Sequence, residues 1–597
     1  MKSTNSDNSG QPGESRRQFI ATGFAALTAG LIASRAGAGF LGAPPQADRR
    51  PRPCVDTGAQ PLASAGPFLH VPRHPESVMI GGLPFANKWF GDHFPNTRIP
   101  FHISENQYPN GKPPEPTEEV DIAIVGGGLS GLTTAYLLRH RNPVLFELHD
   151  RVGGSGMGEQ WEGIPYSLGS AYFIAPDRGS GLEDLYRRLG VAPIHADSPS
   201  TDDPTELGGN VVADFWNGAG LSDIERQAFE QYRAMVMTYV DRYPAIPLDP
   251  TADNTWIRDL DSISLKDHIE STLTVPVPRL LETAINAYCF SSFNSGWEGL
   301  SAACGWNFIA AEEFGRWVLP GGNAGLIQAL WEKLLPLERH TPANCPPRYL
   351  RCGSRVVEVR VLGTDRVLVV YKDSTGKFRS LIAKRVVMTC PKHVAKWILT
   401  DMRPNDPDRY LTMAEVNTSA YVVANVLLNR PVRTHFYDLF MLRNGEFEQI
   451  YDPSNPLRIT DVVNGAFALR NHGHGHNART SHVLTCYWPL SFGTSRFAII
   501  ADDAFEVFAN RVAPELDAAL NILQLNRSDI KQIRLTRWGH AMPIAKVGLI
   551  SRGVSEAVRE PWRDHVFFVN ADNWSLPAVE TCLEEALHFA PKIELGL

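Results

Sequence analysis

The chain has 597 residues, of which 43% are hydrophobic and 20% are charged, and its formal net charge at pH 7 is −8. A chain of this length buries more than one hydrophobic core, and its composition is that of an ordinary globular protein. The negative charge gives no support for nucleic-acid binding, which favours a basic face.

The first predicted element is a twin-arginine signal peptide at residues 1–38. The pair Arg16-Arg17 leads into a mild apolar run over 19–33, and Ala36-Gly37-Ala38 follows as a cleavage pattern. The run is too short and too weakly apolar for a stable membrane span. We therefore expect an exported protein, periplasmic in a bacterium, that uses the twin-arginine export machinery as a partner. The alternative is a disordered tail in which the two arginines are adjacent by chance.

Residues 39–118 form a predicted extension and linker that is rich in Pro, Gly and polar side chains. The stretch 111–116, with three prolines, has the composition of a linker. The aromatic residues between positions 85 and 101 predict that part of the extension packs on the body of the protein.

A nucleotide-binding unit is predicted from residue 120 onwards. The apolar run 120–125 suits a strand that is buried on both faces of a parallel sheet. A G-x-G-x-x-G spacing follows, then a predicted helix over 129–139 and a second strand that ends in an acid. The glycines permit a tight turn, close approach of backbone N–H groups to a pyrophosphate and close helix–strand packing, and the acid accepts hydrogen bonds from a ribose. The residues that we predict to bind the dinucleotide here are Gly126, Gly128, Leu129, Ser130, Gly131, Glu147 and Leu148.

The segment after the acid indicates which dinucleotide is bound. Asp150-Arg151-Val152-Gly153-Gly154 resembles the segment that wraps the FAD diphosphate in flavin amine oxidases. The stretch 166–172 is similar to that family's loop beside the flavin. The family usually has Arg where this chain has Ser155, and Asp where it has Ser167. The resemblance implies FAD as the cofactor and adds as binding residues Arg151, Gly153, Gly154, Ser155, Gly169, Ser170, Ala171 and Tyr172.

Further pieces of the FAD-binding domain are predicted later in the chain. Pro320-Gly321-Gly322 resembles a turn of the family, and the segments 354–361 and 366–371 have the pattern of a hairpin. The closing motif over 566–582 resembles the family's strand, acid, short loop and helix N-terminus, which stabilises the negative charge of reduced flavin. These pieces add as predicted FAD-binding residues Val356 or its neighbour Val357, on the adenine side, and Asp572, Val579, Glu580 and Thr581.

The order of these pieces predicts an α/β fold with two domains. The Rossmann-type FAD-binding domain is expected to be discontinuous, with residues 119–199, 318–414 and 531–597. An inserted α+β substrate domain is expected to take residues 200–317 and 415–530. This second domain would lie over the flavin face and carry the substrate pocket.

Aromatic and basic side chains form the predicted catalytic set. Aromatic walls exclude water and favour the neutral form of an amine, and ring faces also hold a cationic amine. The segment 536–541, with Trp538 and His540, resembles the R-W-x-H turn of the spermidine dehydrogenase branch of the family. Tyr421 occupies a strand position where many amine oxidases carry a catalytic Lys, and Trp574 is a further wall residue. For any one Trp, the alternative is simple packing in the core.

Two other patterns concern metal ions and disulfides. His472, His474 and His476 alternate with glycines, but no Cys, Asp or Glu accompanies them, so we favour a solvated loop over a Zn or Cu site and predict no metal. The eight cysteines include no C-x-x-C pair. Cys345 and Cys352 are the one pair whose local spacing suggests a disulfide, and buried free thiols are the favoured state for most of the others.

The sequence therefore resembles an exported FAD-dependent oxidoreductase of the flavin amine oxidase superfamily over roughly residues 119–590. The expected reaction transfers a hydride from a carbon of a small amine, such as a polyamine, to flavin N5. The electron acceptor is open between oxygen and a respiratory carrier. One alternative is a phytoene-desaturase-like enzyme that acts on a lipophilic C–C bond. Another is a flavoprotein without turnover that serves as a binding partner. The glycine doublet and the closing motif argue against a nicotinamide dehydrogenase.

Overall fold

The structure is a computed structural model of the chain. The residues that it describes are 54–92, 108–191, 194–195, 204–212, 214–218, 221–434, 436–443, 459–471, 480–490, 492 and 495–597. The predicted signal peptide at 1–38 and the histidines His472, His474 and His476 lie outside these ranges. Within them, no helix has both the length and the apolar character that crossing a membrane requires.

A seven-stranded sheet carries the glycine-rich motif. The strand Glu119–Val125 lies between Val144–Phe146 and Phe378–Met388 and pairs in parallel with both. Its last four residues are buried, as expected for a parallel strand that is covered on both faces. The predicted hairpin is confirmed, because Arg355–Leu362 pairs antiparallel with Arg366–Lys372. The remaining strands of this sheet are Leu350–Arg351 and Val566–Phe568.

The helix Leu129–Leu137 begins directly after the glycine turn and packs against the C-terminal helix Val579–Leu595. A Cβ atom at Gly131 would collide with the carbonyl oxygen of Gly126. Only glycine therefore lets the helix approach the turn this closely. The predicted packing role of the third glycine of the motif is confirmed.

A second large sheet has ten strands. Its strand Thr418–Leu428 is buried along its whole length and pairs antiparallel with His482–Pro489 and Ile530–Pro543. The predicted domain boundary at residue 531 assigns the strand Ile530–Pro543 to the FAD-binding domain. In the structure this strand pairs with Thr418–Leu428 and so lies in the second sheet. The other strands of this sheet are Val78–Ile80, Leu83–Phe85, Phe90–Gly91, Thr205–Leu207, Asn210–Val212, Asp438–Met441 and Asp461–Asn464.

Helices pack around Trp297 and Trp306, both almost fully buried, to form a third core. The helices of this cluster are Asp223–Asp241, Thr255–Asp261, Leu265–Thr272, Arg279–Phe293 and Ala302–Glu312. The other helices are Gly181–Leu189, Asn323–Leu334, Lys392–Ile398, Met402–Asn405, Pro407–Glu415, Phe467–Asn471, Ser495–Ile500, Ala504–Ile522 and Val554–Arg559. Two small sheets consist of Phe68–Val71, Gly158–Trp161 and Ile164–Ser167, and of Phe173–Ile174, Ile194–His195 and Arg316–Val318. The mixed architecture confirms the predicted α/β fold class.

The described part of the N-terminal extension packs on the second sheet. Phe85, Trp89 and Phe90 are buried, and strands Leu83–Phe85 and Phe90–Gly91 add to the second sheet. The prediction that aromatic residues attach the extension to the body is therefore confirmed for this part.

A disulfide also ties the extension to the body, but it differs from the suggested pair. Cys345 is bonded to Cys54 of the extension, and Cys352 is a buried free thiol. The pairing of Cys345 with Cys352 was wrong, because Cys352 follows the buried strand Leu350–Arg351 and lies inside the core. Buried free thiols are confirmed for Cys289, Cys304 and Cys486.

Candidate active site

A cavity of about 1170 Å³ is lined by residues of both large sheets. Sites for one small ligand are usually about 300–1,000 Å³. The cavity therefore has room for a dinucleotide together with a small substrate.

Most of the predicted cofactor-binding residues lie along this cavity. Those that line it are Gly126, Gly128, Leu129, Ser130, Glu147, Leu148, Gly153, Gly154, Ser155, Gly169, Ser170, Ala171, Tyr172, Val356, Asp572, Val579 and Glu580. Three predicted residues lie outside its lining. Gly131 serves helix packing, and Thr581 is buried behind the lining. The guanidinium of Arg151 is turned away, because its Nη1 donates to the carbonyl oxygens of Pro67 and Gly158 at 3.2 Å each.

The glycines form a backbone cradle for a pyrophosphate. Gly128 and Gly154 face each other so closely that a Cβ atom on Gly154 would lie 3.4 Å from the Cα atom of Gly128. The helix Leu129–Leu137 starts here without a side-chain cap, so the N–H groups of its first turn are available to an anion. The cradle fits the diphosphate of a dinucleotide.

Glu147 stands at the position predicted for ribose binding. Its Oε2 accepts from the N–H of Gly127 at 2.7 Å, and its Oε1 accepts from the N–H of His149 at 2.8 Å. Burial raises the pKa of this carboxyl. Each oxygen still has a lone pair for a ligand hydroxyl, so the side chain fits a ribose.

Unpaired polar atoms mark the side of the cavity predicted for the adenine. The hydroxyl of Ser354 and the Nε of Arg355 are buried and have no hydrogen-bond partner among the described residues. Both residues line the cavity and directly precede Val356. Buried polar atoms without partners are rare in native proteins, and a polar ligand would supply partners here.

A buried lysine that the sequence analysis missed supports the closing motif. The backbone N–H of Lys392 donates to Oδ2 of Asp572 at 2.7 Å, and its ammonium donates to the side-chain oxygens of Asn570, at 3.1 Å, and Asn573. Burial lowers the pKa of Lys392 to about 8. The side chain thus fixes the turn that carries Asp572. The only sequence signal was a Lys directly after Cys390-Pro391.

Three of the four predicted catalytic side chains line the cavity: Tyr421, Trp538 and His540. The indole of Trp538 donates to the carbonyl oxygen of Leu168 at 2.8 Å and so holds the predicted flavin loop. Trp574 lies outside the lining, because its indole is buried and donates to Oε1 of Glu585 at 3.1 Å. Its position supports a packing role.

His540 is a neutral group in this cavity. Its Nδ1 lies 2.8 Å from the hydroxyl of Thr418, and its ring centroid lies 3.3 Å from that of His393. Burial holds the pKa of His540 well below its usual value, and His393 and Arg496 lower it further. At neutral pH the imidazole therefore carries no charge.

Acidic and aromatic side chains, which we call the acidic chamber, line another part of the cavity. Its members are Glu312, Asp438, Asp461, Tyr172, Tyr288, Tyr421 and Tyr487. Oδ1 of Asp461 accepts from Ser291 at 2.7 Å and from Thr460 at 2.6 Å, and burial raises the pKa of Asp461 to about 6. The hydroxyl of Tyr172 donates to Glu312.

One buried cation also lines the acidic chamber. The guanidinium of Arg316 lies 5.7 Å from the ring centroid of Tyr172 and 5.3 Å from that of Tyr437. Three carboxyl groups against one guanidinium leave the chamber with an excess of acids. These acids were not predictable from the sequence because they come from separate helices and strands and form no local motif.

Within the described ranges, no three His, Cys, Asp or Glu side chains are grouped so that they could hold a metal ion. The histidines at 472, 474 and 476 lie outside those ranges.

Comparisons with known proteins agree with this geometry. Residues 124–189 match the family described as NAD(P)-binding Rossmann-like domain. The chain is 21% identical over 539 residues to the oxidoreductase PigB of Serratia sp. (strain ATCC 39006), a match that covers 80% of this chain and 76% of that protein. It is 40% identical over 77 residues to the flavin-containing amine oxidase of Oncorhynchus mykiss, covering 12% of this chain and 14% of that protein.

The solved structure of wild-type putrescine oxidase bound to putrescine has a similar fold. The TM-score is 0.57, the identity is 15%, and the match covers 80% of this chain and 100% of that chain. The likeness confirms the fold: an α/β architecture with a Rossmann-like dinucleotide-binding unit.

Proposed function

We propose that this FAD-dependent oxidoreductase oxidises a small amine, such as a polyamine, in the acidic chamber. The observation that carries the proposal is the pair of buried carboxyl groups of Glu312 and Asp461 among tyrosine rings in the cavity that also holds the dinucleotide cradle. A buried carboxylate needs a positive partner, and an ammonium ion supplies one. Within the flavin amine oxidase superfamily, we propose that this chain stands nearest to the spermidine dehydrogenase branch.

The glycine cradle, Glu147 and Asp572 would hold FAD, which would supply an acceptor for the hydride from the carbon next to the amine nitrogen; the imine left behind would hydrolyse to a carbonyl compound. The protein side chains orient the amine and remove its extra proton. With its pKa raised to about 6, the carboxylate of Asp461 takes up a proton more readily than an ordinary Asp. It is therefore suited to hold the ammonium and to accept its proton.

The tyrosine rings position the substrate and exclude water. Tyr421 and Tyr487 meet edge to face with ring centroids 6.0 Å apart. Their hydroxyl groups donate to backbone carbonyls, of Ser291 and Gly169 respectively, so ring surface remains for the substrate. Ring faces attract cationic amines and exclude water from the C–H bond that breaks.

We also propose export by the twin-arginine route, which carries proteins that fold before export. Such a route suits a flavoprotein that is loaded with FAD in the cytoplasm. The pair Arg16-Arg17 and the cleavage pattern at 36–38 motivate this proposal. The disulfide between Cys54 and Cys345 supports it, because disulfides persist in oxidising compartments such as the periplasm.

The substrate proposal is tested by rapid anaerobic reduction of the FAD-loaded protein with putrescine, spermidine and cyclohexylamine. We expect at least one of these amines to bleach the flavin absorption, and Glu312→Gln to slow that reduction at least tenfold without loss of FAD. Glu332→Gln is the matched control, because Glu332 is exposed on the helix Asn323–Leu334. Reduction by a lipophilic substrate and by no amine would favour the phytoene-desaturase-like alternative. Retained FAD that nothing reduces would favour a binding partner without turnover.

The electron acceptor is tested by admitting oxygen to the reduced protein. Rapid return of the oxidised spectrum would identify an oxidase. Slow return in oxygen, with fast return on addition of an artificial quinone, would identify a dehydrogenase that uses a respiratory carrier.

A further inference from the structure

A second set of charged side chains lines the cavity, and its charge is opposite to that of the acidic chamber. We call it the basic arm and define it by Lys396, Arg496, His393 and His540. Lys396 lies on the helix Lys392–Ile398, and Arg496 lies on Ser495–Ile500. Residues that are far apart in sequence are thus brought to one part of the cavity wall.

Arg496 is held in place by backbone oxygens rather than by an acid. Its Nε donates to the carbonyl oxygen of Gly539 at 3.2 Å, and its Nη2 donates to the carbonyl oxygen of Thr418 and to the Thr418 hydroxyl, the latter at 2.8 Å. Its Nη1 has no hydrogen bond to any described residue. The guanidinium is therefore rigid and keeps donors for a ligand.

Lys396 also lacks an acidic partner in the described part of the chain. Its ammonium lies 5.9 Å from the ring centroid of Trp397 and 5.7 Å from that of Tyr410. Burial lowers the pKa of Lys396, and the positive charge of Arg496 lowers it further. For Arg496, burial alone lowers the pKa, so no described carboxylate offsets either charge.

The two histidines of the basic arm supply no negative charge that could offset Lys396 and Arg496. His540 is neutral, and its Nδ1 is occupied by the Thr418 hydroxyl. Two half-buried cations that line one cavity without an anion are unfavourable in a protein, since desolvation and the repulsion between Arg496 and Lys396 both raise their free energy. A bound anion would remove this cost.

The entrance to the basic arm is apolar. Phe497 and Ile500 line the cavity, and 76% and 38% of their surfaces are exposed. Both lie on the same short helix as Arg496. An anion that carries an apolar group would bury these side chains as it binds the cations.

We propose that the basic arm is a binding site for an oxyanion, a carboxylate or a phosphate monoester, carried by a molecule with an apolar part. The basic arm lines the same cavity as the glycine cradle for the dinucleotide diphosphate but comes from different elements, since the cradle lies at the start of Leu129–Leu137. Guanidinium and ammonium groups are the usual partners of carboxylates and phosphates in proteins. The ligand is a small free molecule that enters past Phe497.

Isothermal titration calorimetry of the FAD-loaded protein with octyl phosphate, octanoate and inorganic phosphate tests this proposal. We expect saturable binding of octyl phosphate or octanoate at one site, and weaker binding of inorganic phosphate because it lacks the apolar group. Lys396→Gln should weaken binding at least tenfold. Lys333→Gln should leave it unchanged, because Lys333 is an exposed residue of Asn323–Leu334 outside the cavity lining. Equal unfolding temperatures and flavin spectra would show that both variants are folded.

Three results would overturn the proposal. The first is equal affinity of the wild type and Lys396→Gln for the best of the three probes, or no saturable binding of any of them. The second is binding to the FAD-free protein that disappears on FAD loading, since the basic arm would then serve the cofactor phosphates. The third is Lys396-dependent binding to phosphatidylglycerol vesicles without binding of octyl phosphate or octanoate, which would assign these residues to a lipid surface.

Discussion

The backbone N–H of Lys392 donates to Oδ2 of Asp572 at 2.7 Å, across 180 residues of sequence. The two residues follow the strands Phe378–Met388 and Val566–Phe568, which pair in parallel. Segments that leave parallel strands at the same edge meet there, and this edge is where α/β proteins bind ligands. The bond therefore couples two segments that reach the cofactor side of the cavity from distant parts of the chain.

Lys392→Met is expected to weaken FAD binding by about ten- to a hundredfold, because Asn570 and Asn573 lose a charged donor and the turn around Asp572 is no longer fixed. Titration of the FAD-free protein, followed by flavin fluorescence, measures the dissociation constant. Lys384→Met is the control, because Lys384 is an exposed strand residue paired with Asp121. An unchanged dissociation constant in Lys392→Met would contradict the account.

The same lysine predicts how FAD affinity depends on pH. Its pKa in the FAD-free protein is lowered to about 8 by burial. An anionic cofactor nearby favours the charged form, so binding is coupled to proton uptake and FAD affinity should fall as pH rises above 8. In Lys392→Met this dependence should disappear. A dependence of equal slope in both proteins would assign it to another group.

Asp461→Asn is expected to raise stability and lower activity. The pKa of Asp461 is raised from 3.8 to about 6 by burial, so between these pH values the folded state binds more protons than the unfolded state. The free energy of unfolding therefore falls as pH rises through this window, and the loss persists above it. The asparagine side chain still accepts hydrogen bonds from Ser291 and Thr460 but does not ionise. The free energy of unfolding of the variant at pH 7 should therefore be higher by at most about 3 kcal/mol.

Although Asp461→Asn should raise stability, it should lower the rate of amine oxidation. Without the carboxylate, kcat/KM for an amine should fall about a hundredfold, which corresponds to the loss of one charge-assisted contact of about 3 kcal/mol. In the wild type, kcat/KM should rise with pH through about 6 as Asp461 ionises. Thermal unfolding at pH 5 and pH 7 and steady-state kinetics measure both effects. A variant less stable than the wild type at pH 7 would contradict the predicted gain in stability. An unchanged kcat/KM would contradict the predicted loss of activity.

Tyr421 is expected to act through its ring. Its hydroxyl donates to the carbonyl oxygen of Ser291 at 3.2 Å, and the ring lines the cavity. Tyr421→Phe should keep kcat/KM within about threefold of the wild type, whereas Tyr421→Ala should lower it about tenfold, the usual size of a ring–cation contact. Equal losses in both variants would show that the hydroxyl is the important group.

The glycine-rich unit was predictable because its chemistry is local. Gly126, Gly128 and Gly131 follow a strand within a few residues, and each is needed for backbone approach rather than for a distant contact. Asp572 was found in the same way, because a strand, an acid and a helix N-terminus follow one another. Such motifs can be recognised without knowing the rest of the fold.

The acidic chamber was not predictable because its members meet only in the folded protein. Glu312 ends a helix, Asp461 starts a strand, and neither is near a recognisable pattern. The disulfide shows the same limit, since Cys345 pairs with Cys54 across 291 residues rather than with nearby Cys352. Trp574 resembled a cavity wall residue, but Glu585 draws its indole into the core.

Loss of the disulfide is expected to destabilise the protein by about 2–5 kcal/mol, because the bond closes a very long loop and anchors the extension. Reductant should therefore lower the unfolding temperature of the wild type. It should have no further effect on the double variant Cys54→Ser, Cys345→Ser. A wild type that is insensitive to reductant would contradict the role of this bond.

The proposed function requires that the chain binds FAD and that an amine reduces the bound flavin. The most direct test is the visible absorption spectrum of the purified mature protein, followed by anaerobic addition of putrescine and spermidine. We expect the absorption bands of oxidised flavin, and we expect them to disappear when an amine is added. A colourless protein that gains no flavin spectrum on addition of FAD would contradict the proposed function.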